Sequence, residues 1–306
     1  MWFVFALITL LSWGTADLFY KKGADEKDKY SHLKTSMMVG LIMGIHAICM
    51  LLFTDMNYNF INILIYLPVS LMYILSMTIG YFGLRYLEVS ISSPIQNSSG
   101  AVVCLLCLIF LKQTVDLVTA IAIILISVGI FMLGVIEKSK QKDYEELNNK
   151  KYKIGFVAFL IPIIYCIIDA LGTFFDAYYL DSLELTPLKN VTELTLENVA
   201  NTSYELTFLI CAILIFVFLK FVKKQKIVIK EQKESVSAAI FETIGQFTYV
   251  YAMSGASIIA APMISAYSII SIILSRIFLK EKLDKKQYGV VALVMIGIVL
   301  LGISDV

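Results

Sequence analysis

The sequence predicts an all-α integral membrane protein with ten transmembrane helices, arranged as two five-helix repeats of opposite orientation. Composition, ten long apolar runs and an internal repeat lead to this prediction. The chain of 306 residues is 59% hydrophobic and 16% charged, with a mean hydropathy of +0.82, whereas soluble domains are about 25% charged. The charges lie in short islands between apolar runs of about 20 residues, the length that crosses a hydrocarbon core. We therefore expect a lipid bilayer around the chain, and a net charge of +1 gives no indication of a nucleic-acid partner.

The apolar runs divide the chain into two halves of five. Long apolar runs without alternation predict helices rather than barrel strands, because a lone strand cannot satisfy its backbone in lipid. The first run starts without a basic segment and without a cleavage site, so we expect a retained span rather than a signal peptide. We divide the chain into a first repeat at 1–136, a charged linker at 137–153 and a second repeat at 154–306. The predicted spans are 2–20, 34–53, 62–82, 89–111, 117–136, 154–179, 204–221, 235–253, 257–279 and 286–303.

The repeat is visible when residues 94–134 are laid over residues 262–302 without a gap. Twelve of the 41 aligned positions are identical, and the polar and helix-breaking identities are more informative than the leucines. Such self-similarity indicates a duplication of one structural unit. The informative matches are Pro94 with Pro262, Ile109–Lys112 with Ile277–Lys280, Asp116 with Asp284, Gly129 with Gly297, and Gly134 with Gly302.

The basic residues predict how the chain is oriented. Of the 25 Lys and Arg residues, only Lys112 and Lys189 lie in the connections after even-numbered spans. The positive-inside rule places the odd-numbered connections in the cytoplasm, with both termini outside and the protein in the plasma (inner) membrane. Five is an odd number, so the second repeat enters the membrane upside down, and Lys112 and Lys280 would lie on opposite faces. Inverted repeats of this kind are the construction of many secondary transporters.

Several local motifs carry a resemblance to a known family. They are Trp13-Gly14 in span 1, Pro94 and Pro262 at the start of spans 4 and 9, and Phe278–Asp284 followed by Gly289 and Gly297. With the five-plus-five arrangement, they resemble the EamA type of the drug/metabolite transporter superfamily. Glu281-Lys282 with Gln287-Tyr288-Gly289 matches the passage between its last two helices, whereas Gln113-Thr114 in the first repeat lacks the acid. The connection 181–201 is longer than is usual in that family.

The resemblance implies a ten-helix transporter with a central cavity, lined mainly by spans 1, 3, 4, 6, 8 and 9. Members of this superfamily move amino acids, other metabolites and drugs. We therefore expect a small-molecule substrate, a monomer or homodimer, and no cofactor. Nothing in the sequence has the pattern of a catalytic site, so we expect no enzyme.

Four carboxylates within the predicted spans are candidates for binding substrate or protons, because an ionisable group in a membrane usually faces a cavity or a partner. Asp169 lies near the middle of span 6, and Asp176 lies two turns later on the same face. Glu242 lies in span 8 on one stripe with Gln246 and Tyr249, and Asp17 lies in the last turn of span 1. The alternative for Asp169, Glu242 and Asp176 is a buried carboxyl group that bonds to a neighbouring helix. For Asp17 we favour pairing with Lys21 or Lys22.

The charge pattern predicts the type of cargo. A low dielectric disfavours the charged form of a carboxyl group, which suits proton exchange. No basic residue lies comparably deep in a span, so the cavity should be acidic. This favours a cationic or zwitterionic substrate over a phosphorylated one.

Aromatic residues in the cavity-forming spans are the second candidate group, because their rings can hold an ammonium ion by cation–π contact. The alternative for each ring is a place in an interfacial belt or against lipid. Trp13, Tyr81 and Tyr249 are the leading candidates. The full set is Trp13, Tyr73, Tyr81, Tyr165, Phe174, Phe241, Tyr249, Tyr251 and Tyr267.

Other notable residues are better explained by packing. His46 could relay protons, but we expect a packing residue with a backbone partner. Cys104 and Cys107 are one helical turn apart without further ligands nearby, so we expect no metal site. Gly40 and Gly44 predict close helix packing, within the monomer or between monomers.

The leading hypothesis is a secondary active transporter of an amino acid or an organic cation, working by alternating access, with proton-coupled export as its first form. Asp169 or Glu242 would carry the proton. The alternative is a facilitative exchanger of the same fold without ion coupling. A channel or a non-transporting membrane protein is less favoured, because no ring of charges or polar filter repeats across the halves.

Overall fold

A computed structural model describes residues 2–25, 27–87, 89–146, 155–254, 256–280 and 285–304, and these residues form helices without a β-strand. Helix follows from the composition, because apolar segments in lipid must satisfy their backbone groups internally. The helices are α1 Trp2–Gly23, α2 Ser31–Phe53, α3 Asn62–Ile65, α4 Leu67–Gly83, α5 Val89–Asn97, α6 Ser99–Leu106, α7 Leu117–Glu146, α8 Gly155–Leu180, α9 Leu196–Val217, α10 Lys233–Met253, α11 Ser257–Ser265, α12 Tyr267–Leu274 and α13 Lys285–Ser304. π-Helical turns extend α6 through Cys107–Leu111, α9 through Phe218–Val222 and α12 through Ser275–Leu279.

Six helical segments within the described ranges are long and apolar enough to cross a membrane, which confirms an all-α, multi-pass membrane protein. Two shorter apolar helices, Leu67–Gly83 and Leu117–Leu133, accompany them. The number of ten crossings remains a prediction. The six segments are Trp2–Gly23, Ser31–Phe53, Ser92–Leu111, Leu160–Leu180, Leu196–Val222 and Ser257–Leu279.

The sequence analysis singled out two connections, the linker 137–153 and the connection 181–201. The structure describes the whole of the second but only part of the first. Helix α7 continues to Glu146, ten residues into the predicted linker, and residues 147–153 lie outside the described part of the chain. The long connection 181–201 ends earlier than expected, because α9 begins at Leu196. Its middle docks on α3, where the side chain of Asn62 exchanges two hydrogen bonds with the backbone of Lys189, at 2.8 and 2.9 Å.

The duplicated stretch has the same backbone form in both copies. Helix α5 is separated from α6 at Ser98, and α11 is separated from α12 at Ala266, 168 positions later. A proline, Pro94 or Pro262, lies four residues before each break, consistent with the tendency of proline to bend or interrupt a helix. The π-helical turns and the residues that end them, Lys112 and Lys280, are also 168 positions apart. Both lysines adopt the left-handed conformation that terminates helices, with φ of 53° and 59°.

Contacts between the halves are reciprocal. Helix α1 packs against α10, and its second-half counterpart α8 packs against α4; α2 packs against α9, and α7 against α13. At the α7–α13 contact Gly129 faces Val294, and Gly297 faces Ile126. Positions 129 and 297 differ by 168, as do positions 126 and 294. Exchanging the two copies of the repeat therefore turns one of these contacts into the other. The halves therefore meet through equivalent faces.

Helices α2 and α9 approach each other closely at Gly40 and Gly44. A methyl group on Gly40 would overlap the carbonyl oxygen of Phe208, and one on Gly44 would lie 2.5–2.8 Å from Leu209 side-chain atoms. The structure thus uses these two glycines for packing within one chain, one of the two uses that the sequence left open.

Candidate functional site

An acidic, partly open cavity lies among α1, α4, α5, α6, α8, α9, α10, α11 and α12. The centre of a water molecule can occupy about 70 Å³ of it, which is room for several waters or one small solute. Its wall contains three carboxyl groups, those of Asp17, Asp169 and Glu242. No Lys, Arg or His is among the lining residues in the part of the chain that the structure describes. The cavity can therefore hold a cationic group but has no built-in positive charge for an anion.

Helix α1 brings Asp17 to the cavity wall, where two serine hydroxyl groups bind it. Ser93 of α5 and Ser271 of α12 each donate a hydrogen bond to Oδ2 at 2.7 Å. This arrangement replaces the pairing with Lys21 or Lys22 that we expected from the sequence. The Lys21 ammonium group instead donates to the carbonyl oxygens of Leu84 and Leu87, both at 2.7 Å. Carbonyl groups at the end of α4 lack helical partners and so attract it.

Asp169 and Glu242 also lie in the cavity wall and have hydroxyl partners. Ser99, the first residue of α6, donates to Asp169 Oδ2 at 2.7 Å, and the Tyr165 side chain is a second partner of Asp169. The Tyr20 hydroxyl donates to Glu242 Oε2 at 3.1 Å, and the ring of Tyr20 lies 4.4 Å from that of Tyr81. Glu242 is only 7% exposed. These hydroxyl donors stabilise a charged carboxylate without neutralising it.

Asp176 is fully buried and is not part of the cavity wall. It accepts a hydrogen bond from the Tyr66 hydroxyl, and a tyrosine network lies on the cavity side. There the Tyr73 hydroxyl contacts Thr173 and the Tyr249 hydroxyl, both at 2.8 Å. Asp176 thus has the environment of a buried carboxyl group bonded to another helical segment, the alternative that the sequence analysis left open.

Eight aromatic rings line the cavity, and Trp13 is at the centre of one cluster. Its ring centroid lies 5.1 Å from that of Tyr249 and 5.8 Å from that of Tyr267. The absence of a side chain at Gly245 on α10 lets the indole approach, since a Cβ there would lie 2.5 Å from Trp13 Nε1. Of the nine aromatic residues predicted from the sequence, six line the cavity: Trp13, Tyr73, Tyr81, Tyr165, Tyr249 and Tyr267.

The other three predicted aromatic residues have different neighbours. Phe174 packs against Phe110, Phe241 stacks on Phe19, and Tyr251 stacks on Phe5. The cavity instead includes two tyrosines that the sequence analysis missed, Tyr20 and Tyr204, and several missed polar residues of α5 and α6. The polar residues of α5 and α6 could have been found from the sequence, because they belong to a polar run inside an apolar span. The run includes Ser92, Ser93, Gln96, Asn97, Ser98 and Ser99.

Two buried polar atoms in the cavity wall have no hydrogen-bond partner among the residues that the structure describes. They are Nε2 of Gln96 and Nε2 of Gln246. Both side chains are less than 10% exposed. Because buried polar groups are normally paired, such atoms indicate room for water or for a bound solute.

A second acidic group lies outside the cavity and was missed by the sequence analysis. Glu205 of α9 is fully buried, and His46 Nδ1 of α2 lies 2.9 and 2.8 Å from its two carboxylate oxygens. His46 therefore has a side-chain partner instead of the expected backbone partner. Its ring also packs edge-on against Phe247 of α10.

The cysteines lie apart from this chemistry. Cys104 and Cys107 are free and buried, and Cys107 Sγ contacts the Ser257 hydroxyl at 3.8 Å. In the described ranges no three His, Cys, Asp or Glu residues are grouped so that they could hold a metal ion. The motif Glu281–Asp284, used for the family resemblance, lies outside the described residues.

Comparisons with known proteins agree with this architecture. A crystal structure that is 12% identical in sequence has the same fold, with a TM-score of 0.64 over 97% of this chain and 95% of the other. A search of curated proteins returned no match. The model of the EamA-like transporter family matches residues 1–135 and 201–303, and α8 with Asp169 and Asp176 lies between these stretches. The match covers most of the sequence and confirms the resemblance: this chain belongs to the EamA-like transporter family, a family of membrane transporters.

Proposed function

We propose that the protein is a secondary active transporter of a small metabolite, an amino acid or an organic cation, that works by alternating access. The observation that carries the proposal is the acidic cavity, which is lined by helices of both halves. The reciprocal contacts between the halves support two related conformations, in which the halves exchange their roles and the cavity opens to opposite sides.

Proton coupling would use Asp169 and Glu242. Both groups are in the cavity wall, where Ser99 and Tyr165 bind Asp169 and Tyr20 binds Glu242. A charged carboxylate can accept from the hydroxyl and from a substrate ammonium group together, since it offers about four acceptor positions. A protonated carboxyl group loses its attraction for the ammonium group. Binding of a proton and binding of a cation would therefore compete, which is the requirement for exchange.

The proposed arrangement has ten crossings in two inverted five-helix repeats, in the plasma (inner) membrane. The odd-numbered connections would be cytoplasmic and both termini outside, by the distribution of Lys and Arg. Export of the substrate against entry of protons is the first form to test. The functional unit would be a monomer or homodimer.

Proteoliposomes that contain a pH-sensitive dye test the proposal. The purified protein would be challenged with the protein amino acids and with the amines obtained by their decarboxylation. We expect at least one solute to change the luminal pH, and Asp169→Asn and Glu242→Gln each to reduce this signal at least tenfold. Asp55→Asn is a matched control, because Asp55 is exposed in a loop away from the cavity.

Three outcomes would change the conclusion. If Asp169→Asn and Glu242→Gln both move protons like the wild type, their proposed role is wrong. Solute counterflow that persists with a protonophore, without any change of luminal pH, would identify the uncoupled exchanger. A reconstituted protein that moves no solute of the panel would contradict the transport proposal.

A further inference from the structure

We infer that the cavity selects small organic cations, amines above all, over the amino acids that carry the same side chain. This inference rests on the proposed function and narrows its substrate class. An amino acid has a carboxylate in addition to its ammonium group, and the cavity wall is built for only one of these two charges.

The first argument is the balance of charge in the wall. Asp17, Asp169 and Glu242 face one small cavity, and no described lining residue is Lys, Arg or His. Among nearby basic groups, the Lys21 ammonium is held by the carbonyl oxygens of Leu84 and Leu87. A substrate carboxylate in this space would meet like charges without a cation to compensate it, and a low dielectric strengthens that repulsion.

The second argument is the remaining capacity of the acids. Asp169 has two hydroxyl donors, Ser99 and Tyr165, and Glu242 has one, Tyr20. Each carboxylate can accept about four hydrogen bonds. An ammonium group with up to three N–H donors could therefore bind without displacing Ser99 or Tyr20.

The third argument is the aromatic wall. Trp13, Tyr249 and Tyr267 form one cluster of rings, and Tyr20 and Tyr81 form another. The face of an aromatic ring attracts cations, and by the same quadrupole it repels anions. The aromatic rings and the carboxylates thus favour the same charge.

The unpartnered atoms in the wall fit a neutral group on the same ligand. Gln96 Nε2 and Gln246 Nε2 are donors without a positive charge, and they are buried without an acceptor in the described part of the chain. A hydroxyl or amide oxygen could accept from them without bringing a negative charge into the cavity. We therefore expect amines with neutral polar groups to be accepted.

Matched ligand series test the inference. In detergent, binding of tyramine, tyrosinamide and tyrosine would be measured by calorimetry, together with agmatine, argininamide and arginine. The amide keeps the size of the amino acid but removes its negative charge. In at least one series we expect the amine and the amide to bind at least tenfold more tightly than the amino acid. In Glu242→Gln this preference should fall at least threefold, whereas Asp55→Asn should retain it.

Each result decides between the interpretations. Equal or tighter binding of the amino acids, or binding of no amine in either series, would overturn the inference. An amide that binds as weakly as its amino acid would also overturn it, since size rather than charge would then be selected. Selective amine binding without flux in proteoliposomes would contradict the transport proposal and leave the binding preference intact. Flux of amino acids without flux of amines would overturn the inference and leave the transport proposal intact.

Discussion

The central cavity and the α2–α9 contact both bury acidic side chains, but the negative charge of these side chains is balanced differently in the two regions. At the α2–α9 contact, both oxygens of Glu205 lie within 2.9 Å of His46 Nδ1. In the cavity, the hydroxyl groups of Ser99 and Tyr165 bind Asp169, and that of Tyr20 binds Glu242. An acid with a base at contact distance has its charge balanced by the fold. An acid with only hydroxyl partners retains a charge that a ligand or a proton can neutralise.

The two regions also differ in how tightly they are packed. At the α2–α9 contact Gly40 and Gly44 bring the helices together until the backbone of one helix touches the other. The cavity wall has open space and unpartnered polar atoms. We conclude that burial alone does not identify a functional acid in a membrane protein. The partners of the acid and the space around it do.

The largest expected effect is on stability, and it distinguishes the two kinds of acid. Glu205→Ala should lower the free energy of unfolding by about 3 kcal/mol, the lower end for breaking a buried ion pair. The lower end applies because His46 is 30% exposed and can give up its charge. Asp169→Asn should change the stability by less than about 1 kcal/mol. Unfolding by SDS in mixed micelles would measure both.

A double substitution is the control for that difference. His46→Phe with Glu205→Leu replaces the pair by apolar groups, which is often nearly neutral for a buried pair. We expect it to recover at least half of the stability that Glu205→Ala loses. If Asp169→Asn destabilises the protein as much as Glu205→Ala, the contrast between the two regions does not hold.

Three glycine substitutions come next in size. Gly40→Ala should cost about 2 kcal/mol, within the range for overpacking, because its methyl group would overlap the Phe208 carbonyl oxygen. In Gly289→Ala no atom of the described residues lies within 4 Å of the new methyl group, so the change should be neutral or slightly stabilising. Gly245→Ala should displace the Trp13 ring and weaken ligand binding. SDS unfolding measures the first two, and calorimetry with tyramine measures the third.

The glycine variants also test the difference between the tightly packed α2–α9 contact and the open cavity. Stability unchanged in Gly40→Ala would mean that α2 and α9 are less tightly packed than the structure indicates. Tyramine binding unchanged in Gly245→Ala would mean that the position of Trp13 does not matter for the ligand.

A smaller effect is expected from the aromatic wall. Trp13→Leu should weaken tyramine binding about fivefold, which corresponds to about 1 kcal/mol of cation–π attraction. Phe241→Leu is a matched control, because Phe241 stacks on Phe19 and does not line the cavity. Equal losses in both variants would show that the effect comes from packing and not from contact with the cation.

The sequence predicted the cavity acids better than it predicted their partners. Asp169 and Glu242 stood out because a carboxyl group inside an apolar run is rare. Their donors could not be predicted from the apolar runs. Ser99 of α6 binds Asp169, and Ser271 of α12 binds Asp17. Both helices follow a break, at Ser98 and Ala266, and the direction of a helix after a break depends on tertiary packing.

The sequence analysis missed Glu205 for a different physical reason. The apolar run suggested a span that begins at residue 204, but α9 begins at Leu196 and buries a polar first half. Hydropathy reports compatibility with lipid, whereas Asn201, Ser203 and Glu205 are covered by other parts of the protein. The duplicated segment was easier to predict, because Pro94 and Pro262 mark equivalent backbone features in both copies.

The smallest expected effect comes from an acid at the surface, Asp28, which completes the comparison. Burial opposes its charge, but hydrogen bonds from Lys34 at 2.6 Å and from the Tyr30 backbone outweigh this and lower the pKa of Asp28. Its contribution to stability is therefore present above its ordinary pKa of about 4 and is lost as the pH falls through the lowered value. Asp28→Asn should cost at most about 1 kcal/mol at pH 7, as for other surface pairs, and the difference from the wild type should shrink as the pH falls below about 4. Unfolding curves of both proteins between pH 3 and 7 measure this difference, and a larger loss than that of Glu205→Ala would invert the order of the three acids.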